Sequence, residues 1–472
     1  MALRITVIGA GPGGYTAAFE AARRGAEVAL VESRALGGTC LNRGCIPTKA
    51  LKSSADALEA VKRAAEFGIA GAGAPRADMP AVLARKAKVV ETLRSGLAKA
   101  CAQRRVRLVE GRARLVSASL VQVEAPGGAV EELASDRVIL ATGSSVLRLP
   151  ALPCDGKRVL TSDEALELDW VPERLLVVGG GVVGCELAFV FRAFGSQVTV
   201  VEGLDRLLPV PSIDQDMSKL LLREAKKRGI KAELCRTVAG VRIGDDGVAA
   251  DLAPSPFVPE ERLPASAKQA ASIECDCVFS TVGRVPNTGG LGLAEAGVAV
   301  DERGWIKVNG RLETSVPGVY AIGDVLGPSR IMLAHMAEAE ARCAAAACFG
   351  ETAEPEYAVC PSGIFTSPEI GCVGLTEEQA RAEGYDAACP QVLFRELGKA
   401  HAMGELAGVF KLVADRATGR LLGAHFAGAH ATDLIAEAAL ALHKGCTVQD
   451  LAATIHAHPT LAEGVLEAAL KF

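Results

Sequence analysis

Two segments of this chain carry one pattern, and that pattern leaves few folds open. In ITVIGAGPGGYTAAFEAARRGAEVALVE, an apolar strand (Ile5 to Ile8) runs into Gly9, Gly11 and Gly14, a helical stretch follows, and a second strand (Val28 to Val31) ends in Glu32. RLLVVGGGVVGCELAFVFRAFGSQVTVVE repeats it with Gly179, Gly181, Gly184 and Glu202. In both, the acid stands 18 residues beyond the last glycine (14 to 32, 184 to 202). The glycines permit a tight turn, close approach of a pyrophosphate and close helix packing, and the helix N-terminus attracts phosphate charge. One glycine fingerprint alone is weak, but strand, helix and acid in register make each a dinucleotide unit. Two such units in one chain imply electron transfer between two dinucleotides, most simply FAD and a nicotinamide. Glu202 suits the ribose 2′-hydroxyl of NAD and repels the 2′-phosphate of NADP, although Arg206 lies nearby to offset it.

At 472 residues the chain is too long for one core. The expected fold is α/β: two Rossmann-like dinucleotide-binding domains plus a C-terminal α+β domain. Residues 1–148 form the first domain, with a long helical excursion between Ser53 and Arg105. Residues 149–280 form the second, including the exposed insert APSPFVPEERLPASAKQAA. Residues 281–352 return to the first sheet. From 353 to 472, strand candidates (GIFTSPEIGCVG, GVFKLVAD, RLLGAHFAG) alternate with helices (TEEQARAEG, ATDLIAEAALAL) and no third fingerprint occurs. VILATGS, with Gly143, and VPGVYAIGDV, with Asp324, read as strands of the first sheet. A net charge of −5 gives no reason to expect nucleic acid as partner, and the Arg85–Arg107 charges are spaced like a wet helix face. No apolar run reaches the roughly 18 residues of a membrane helix and MALRITVIGAG opens directly as a strand, so a cytoplasmic chain without membrane insertion is expected.

Fourteen cysteines in such a chain should be mostly buried thiols. Eight are scattered singly, and Cys275 and Cys277 sit in a strand pattern without the further ligands of a zinc site, so no metal is expected. GGTCLNRGCIPTK places Cys40 and Cys45 five positions apart, where an ideal helix holds Cα atoms about 8 Å apart and a disulfide needs them within about 7 Å. Gly44 and Pro47 permit the necessary distortion. Cys343 and Cys348, in CAAAAC, share the spacing without helix breakers. Near the C-terminus, IHAHPTLAEGV sets Glu463 five residues beyond His458, a base with a carboxylate to orient it. A surface histidine beside a helix start has the same appearance.

Taken together, GAGPGG, GGTCLNRGCIPTKAL, GGGVVGCELA, TVGRVPNT, TSVPGVYAIGD and HAHPTLAE span nearly the whole chain. In that order they resemble the flavin-dependent pyridine nucleotide–disulfide oxidoreductases. The resemblance implies that Cys40 and Cys45 form a redox disulfide, Cys45 nearer the flavin and Cys40 exchanging with substrate sulfur. It implies that His458 and Glu463 are an acid–base dyad serving the other subunit of a homodimer. Lys49 would lie beside flavin N5, paired with Glu186, and thiolates so placed would be acidified. Gly9, Gly11, Gly14, Glu32, Gly38, Thr39, Lys49, Ala113, Gly143, Asp324 and Ala334 fall where FAD is held. Gly179, Gly181, Gly184, Glu186, Glu202 and Gly283 fall where NAD is held. The implied activity is oxidation of dihydrolipoamide on a lipoylated carrier protein, of a 2-oxoacid dehydrogenase complex or the glycine cleavage system, with NAD⁺ as acceptor. NAD(P)H-dependent reduction of glutathione or coenzyme A disulfides is the alternative enzyme, and a mainly structural flavin-binding subunit the alternative class. Gly203 and Pro209 stand where NADPH-using relatives carry arginines. Met336 replaces the lysine that commonly follows Ala-His.

Overall fold

The computed structural model describes residues 2–472, which divide into two compact units. The first takes the N-terminal residues to Leu51, then Pro80–Leu147 and Gly283–Tyr357; the second takes Lys52–Met79, Arg148–Val282 and Ala358–Phe472.

In the first unit, five parallel strands lie in the order Val319–Ala321, Arg137–Leu140, Arg4–Ile8, Glu27–Glu32 and Arg107–Glu110. Ile5, Val7 and Ile8 are buried, as expected of a central strand covered on both faces. The helix Pro12–Arg23 follows the glycine turn and packs on the helix Ala334–Cys348. An antiparallel meander, Arg112–Ser117, Leu120–Glu124 and Val130–Ala134, precedes the strand Arg137–Leu140.

The second unit repeats the plan. Its parallel order is Lys231–Leu234, Gln197–Glu202, Arg174–Val178, Cys277–Ser280 and Val159–Thr161. A meander of Arg236–Ile243, Val248–Pro254 and Ala271–Cys275 again precedes a strand of the parallel sheet, here Cys277–Ser280. The insert expected as a loop joins the last two of these, and carries two short helical turns, Glu260–Arg262 and Ala265–Lys268. The helical excursion resolves into Cys45–Lys62 and Met79–Gln103.

The same unit holds the C-terminal sheet, in which Ser362–Ile364, Glu369–Gly374, Leu421–Gly428 and Val409–Asp415 run antiparallel in that order. Its core stacks Phe410 on Phe394 with ring centres 4.9 Å apart, and Phe426 lies at the same distance on Phe410. The helix Glu463–Leu470 rests on this aromatic column. It reaches it through Gly464, where an added Cβ would fall 2.2 Å from the Phe410 ring. No helix among the described residues is long and apolar enough to cross a membrane.

Candidate active site

The two glycine turns have one geometry. Gly9 has φ +99° and Gly179 φ +104°, conformations that glycine adopts without strain. A Cβ on Gly14 would sit 1.8 Å from the Gly9 carbonyl oxygen, and one on Gly184 would sit 1.9 Å from that of Gly179. These glycines let the helix cross the strand. The middle glycine differs: a Cβ on Gly181 would meet nothing within 4 Å, and one on Gly11 only the Gly38 Cα at 3.9 Å. The protein itself leaves that space open, in front of the N–H groups of the first helical turn, where a pyrophosphate belongs. Two further observations fit a bound group in the first unit. Thr142 Oγ1 and Asn42 Oδ1 are buried with no hydrogen-bond partner among the described residues. The residues present therefore fit a dinucleotide at each turn.

The fingerprint acids brace their own turns. Glu32 accepts from the N–H groups of Ala10 and Arg34, both at 2.8 Å. Glu202 accepts from Gly180 at 2.6 Å and Leu204 at 2.8 Å. A carboxylate has about four acceptor positions, so each retains capacity for ribose hydroxyls. Arg206 is committed elsewhere, donating to the carbonyls of Ile213 (3.2 Å) and Val210 (3.3 Å).

The cysteine pair sits on a broken helix. Gly38–Arg43 ends at Gly44, whose φ −140° and ψ −112° are not helical, and a new helix begins at Cys45. Cys40 thus belongs to one helix and Cys45 opens the next, while Cys343 and Cys348 share the unbroken helix Ala334–Cys348. Across this break Cys40 lies within hydrogen-bonding reach of Cys45. Cys40 is pushed up, by that hydrogen bond first and by burial next, with Lys49 pulling the other way. Lys49 lies one helical turn beyond Cys45. Gly38, with φ +60°, presses the segment onto the first glycine turn, where an added Cβ would lie 2.6 Å from the Gly11 Cα. Thr39 follows in the same helix, and its carbonyl oxygen would be 3.1 Å from a Cβ on Gly44.

Other expected FAD positions line the same unit. Asp324, in the turn Gly323–Leu326, accepts from Ser144 Oγ at 2.6 Å, and Arg284 Nε donates to that oxygen at 2.6 Å. Gly143 has φ +67°, and its carbonyl accepts from Asn287 N. Ala113 is buried on the meander, and Ala334 opens its helix. Met336, where the family commonly has lysine, is buried, an apolar contact in place of a charge.

Sequence reasoning passed over Ser144, Arg284, Glu340 and Tyr15. Glu340 is buried, accepts from Gly323 N (2.6 Å) and Tyr357 Oη (2.8 Å), and is pushed up by its burial. Burial, with the charges of Glu338 and Cys40, pushes the Tyr15 phenol up to about 12. Only their place inside quoted motifs (GGY, GRVPN) could have flagged Tyr15 and Arg284.

In the second unit Glu186 is buried and accepts from Phe365 N at 2.9 Å. Gly283 lies in the first unit, with φ +133°. His458 Nδ1 and Glu463 Oε1 are 2.8 Å apart, and Glu463 also accepts from Thr460 N at 2.9 Å. The His458 hydrogen bond, then that from Thr460, hold Glu463 below the usual carboxylate range. The imidazole is 78% exposed, so its free edge faces outward. His456 is the opposite case, with a 4% exposed ring held between Glu437 and the Thr454 carbonyl. Of the cysteines expected as filler, Cys101, Cys185, Cys235, Cys275, Cys277 and Cys372 are buried, whereas Cys154, Cys360, Cys389 and Cys446 are only partly so. Burial pushes Cys185, Cys275 and Cys277 up to about 12, which makes them poor nucleophiles.

Comparison with known proteins gives one picture. The family described as "Pyridine nucleotide-disulphide oxidoreductase" matches residues 3–341, and its dimerisation domain matches residues 360–469. A dihydrolipoyl dehydrogenase of Thermus scotoductus is 41% identical, covering 98% of this chain and 96% of its own. One of Chlorobaculum tepidum is 40% identical over the same shares. The crystal structure of LpdA from Mycobacterium tuberculosis superposes with a TM-score of 0.90 at 27% identity, covering 99% of both chains.

Proposed function

Because this chain belongs to the pyridine nucleotide–disulphide oxidoreductase family, with the family's dimerisation domain at its C-terminal end, we propose that it acts as a dihydrolipoyl dehydrogenase using FAD and NAD⁺. The observation that carries this reading is the Cys40–Cys45 pair, hydrogen-bonded across the helix break and seated on the first glycine turn.

In the oxidised pair a thiol of dihydrolipoamide gives its proton to His458 and attacks Cys40 Sγ. The Cys40–Cys45 bond breaks, and Cys45 leaves as a thiolate. The substrate's second thiol then attacks its own sulfur in the mixed disulfide, closing lipoamide and passing its proton to Cys40. The enzyme is left two electrons richer, Cys40 protonated and Cys45 anionic. FAD, when bound, supplies the route by which that electron pair reaches NAD⁺. Gly9, Gly11, Gly14, Glu32 and Asp324 would hold FAD, and Gly179, Gly181, Gly184 and Glu202 would hold NAD. Lys49 would stand by the flavin and the dyad of one subunit would serve the other. Glu463 orients His458, and stays ionised because it titrates below the usual carboxylate range.

The substrate is proposed as a lipoyl group on a carrier protein of a 2-oxoacid dehydrogenase complex or the glycine cleavage system, in the cytoplasm. The test is turnover of dihydrolipoamide with NAD⁺ by the yellow holoenzyme, against glutathione and coenzyme A disulfides with NADH and NADPH. Cys45→Ser should abolish dihydrolipoamide oxidation. Retained turnover in that variant, or a disulfide substrate preferred with NADPH, would sink the proposal.

A further inference from the structure

The insert between Val248–Pro254 and Ala271–Cys275 brings an aromatic ring to the end of the second fingerprint. Phe257 lies edge-on against Gly203, the residue after Glu202, with Cδ2 only 2.9 Å from where a Cβ of Gly203 would be. A chain of hydrogen bonds fixes its backbone there. Phe257 N donates to Ser255 Oγ (3.1 Å), the buried Ser255 donates through its N–H to the Cys235 carbonyl (3.0 Å), and Cys235 N donates to the Leu204 carbonyl (3.0 Å). Yet the ring is 68% exposed. A ring carried on so firmly held a backbone and left this open is not packing a core.

We propose that Phe257 is a stacking platform for the adenine of the dinucleotide at Glu202, and helps set the preference for NAD over NADP. This rests on the reading of the second fingerprint as the NAD site. Nucleotides in such folds bind beyond the carboxyl ends of the strands, and Glu202 is the last residue of its strand. With the ribose hydroxyls at Glu202, the base is the next part of the ligand, and every base offers a face to an aromatic ring. The ring also occupies the space beside position 203, so a side chain there would have to displace it. Gly203 itself offers no cation to a 2′-phosphate, and Arg206 is held by the carbonyls of Val210 and Ile213.

The test uses the holoenzyme and titrates NADH, NADPH and ADP-ribose by calorimetry. F257A should weaken NADH and ADP-ribose binding roughly tenfold, as loss of one base–aromatic stack does. F257Y should bind as the wild type does, with the flavin spectrum unchanged in both. In F257W, ADP-ribose should quench tryptophan emission beyond the response of Trp170 and Trp305. Wild-type constants in F257A, or no added quenching in F257W, overturn the inference alone. A wild-type protein that binds neither NADH nor ADP-ribose overturns it together with the reading of the site.

Discussion

A glycine is informative when one asks what its missing Cβ would touch. Gly184 would strike the Gly179 carbonyl at 1.9 Å, whereas Gly181, with φ −71°, would touch nothing within 4 Å. Gly184→Ala should therefore cost about 1–3 kcal/mol by overpacking, seen as a lower thermal midpoint. Gly181→Ala should keep the wild-type midpoint and lose NADH affinity by a factor of ten or more, measured by calorimetry. Equal destabilisation of both would contradict the assignment of open space to a ligand. At this scale the sequence was legible where local spacing is itself the constraint: the fingerprints, the Cys40–Cys45 break, the His458–Glu463 interval. Ser144, Asp324 and Arg284 were not legible as a group. They meet from positions up to 180 residues apart, and no local pattern encodes that.

Among elements, the strand Val409–Asp415 carries the least expected residue. Lys411 is fully buried in it, and its ammonium binds Asp216 at 2.7 Å, Glu377 at 2.8 Å and Asp214 at 3.0 Å. Burial opposes the charge, but the hydrogen bonds to Asp216, Glu377 and Asp214 outweigh it and raise the lysine above its usual value. Asp214 is lowered against its own burial, with His425 and Lys411 among the causes; Glu377 is lowered first by Lys411. Removing the cation strands the buried Asp214, so Lys411→Ala should cost about 3 kcal/mol. The pH dependence follows from the acids. A depressed carboxylate stabilises fully above its unfolded value of about 4 and loses that contribution as pH falls through its folded value. Wild-type thermal stability should thus fall steeply below pH 4, and the fall should be blunted in Lys411→Met. Parallel curves would refute the network's role. The strand itself was legible from its apolar run, but nothing was read from the one lysine inside GVFKLVAD. Which acids it meets is a matter of tertiary placement.

For the whole molecule, the doubling of one plan in a single chain (five parallel strands with a three-stranded meander inserted) is the feature most openly written in the sequence. Assembly is less so, because the exposed edge of His458 has no spacing rule. If the dyad serves the partner's cysteines, subunits dead for different reasons should complement. Purified heterodimers of His458→Ala with Cys45→Ser then hold one intact site and about half the wild-type turnover, as symmetry requires. Inactive heterodimers would place the dyad and cysteines of one subunit together. The seat of Gly38 on Gly11 has a consequence of another kind, for heredity rather than chemistry. A Cβ at 38 would fall 2.6 Å from backbone, which no change of side chain elsewhere can relieve, whereas one at 11 meets the protein only at 3.9 Å. In a library randomised at both codons and screened for folded protein, position 38 should return glycine alone. Position 11 should tolerate alanine until the screen also asks for yellow colour.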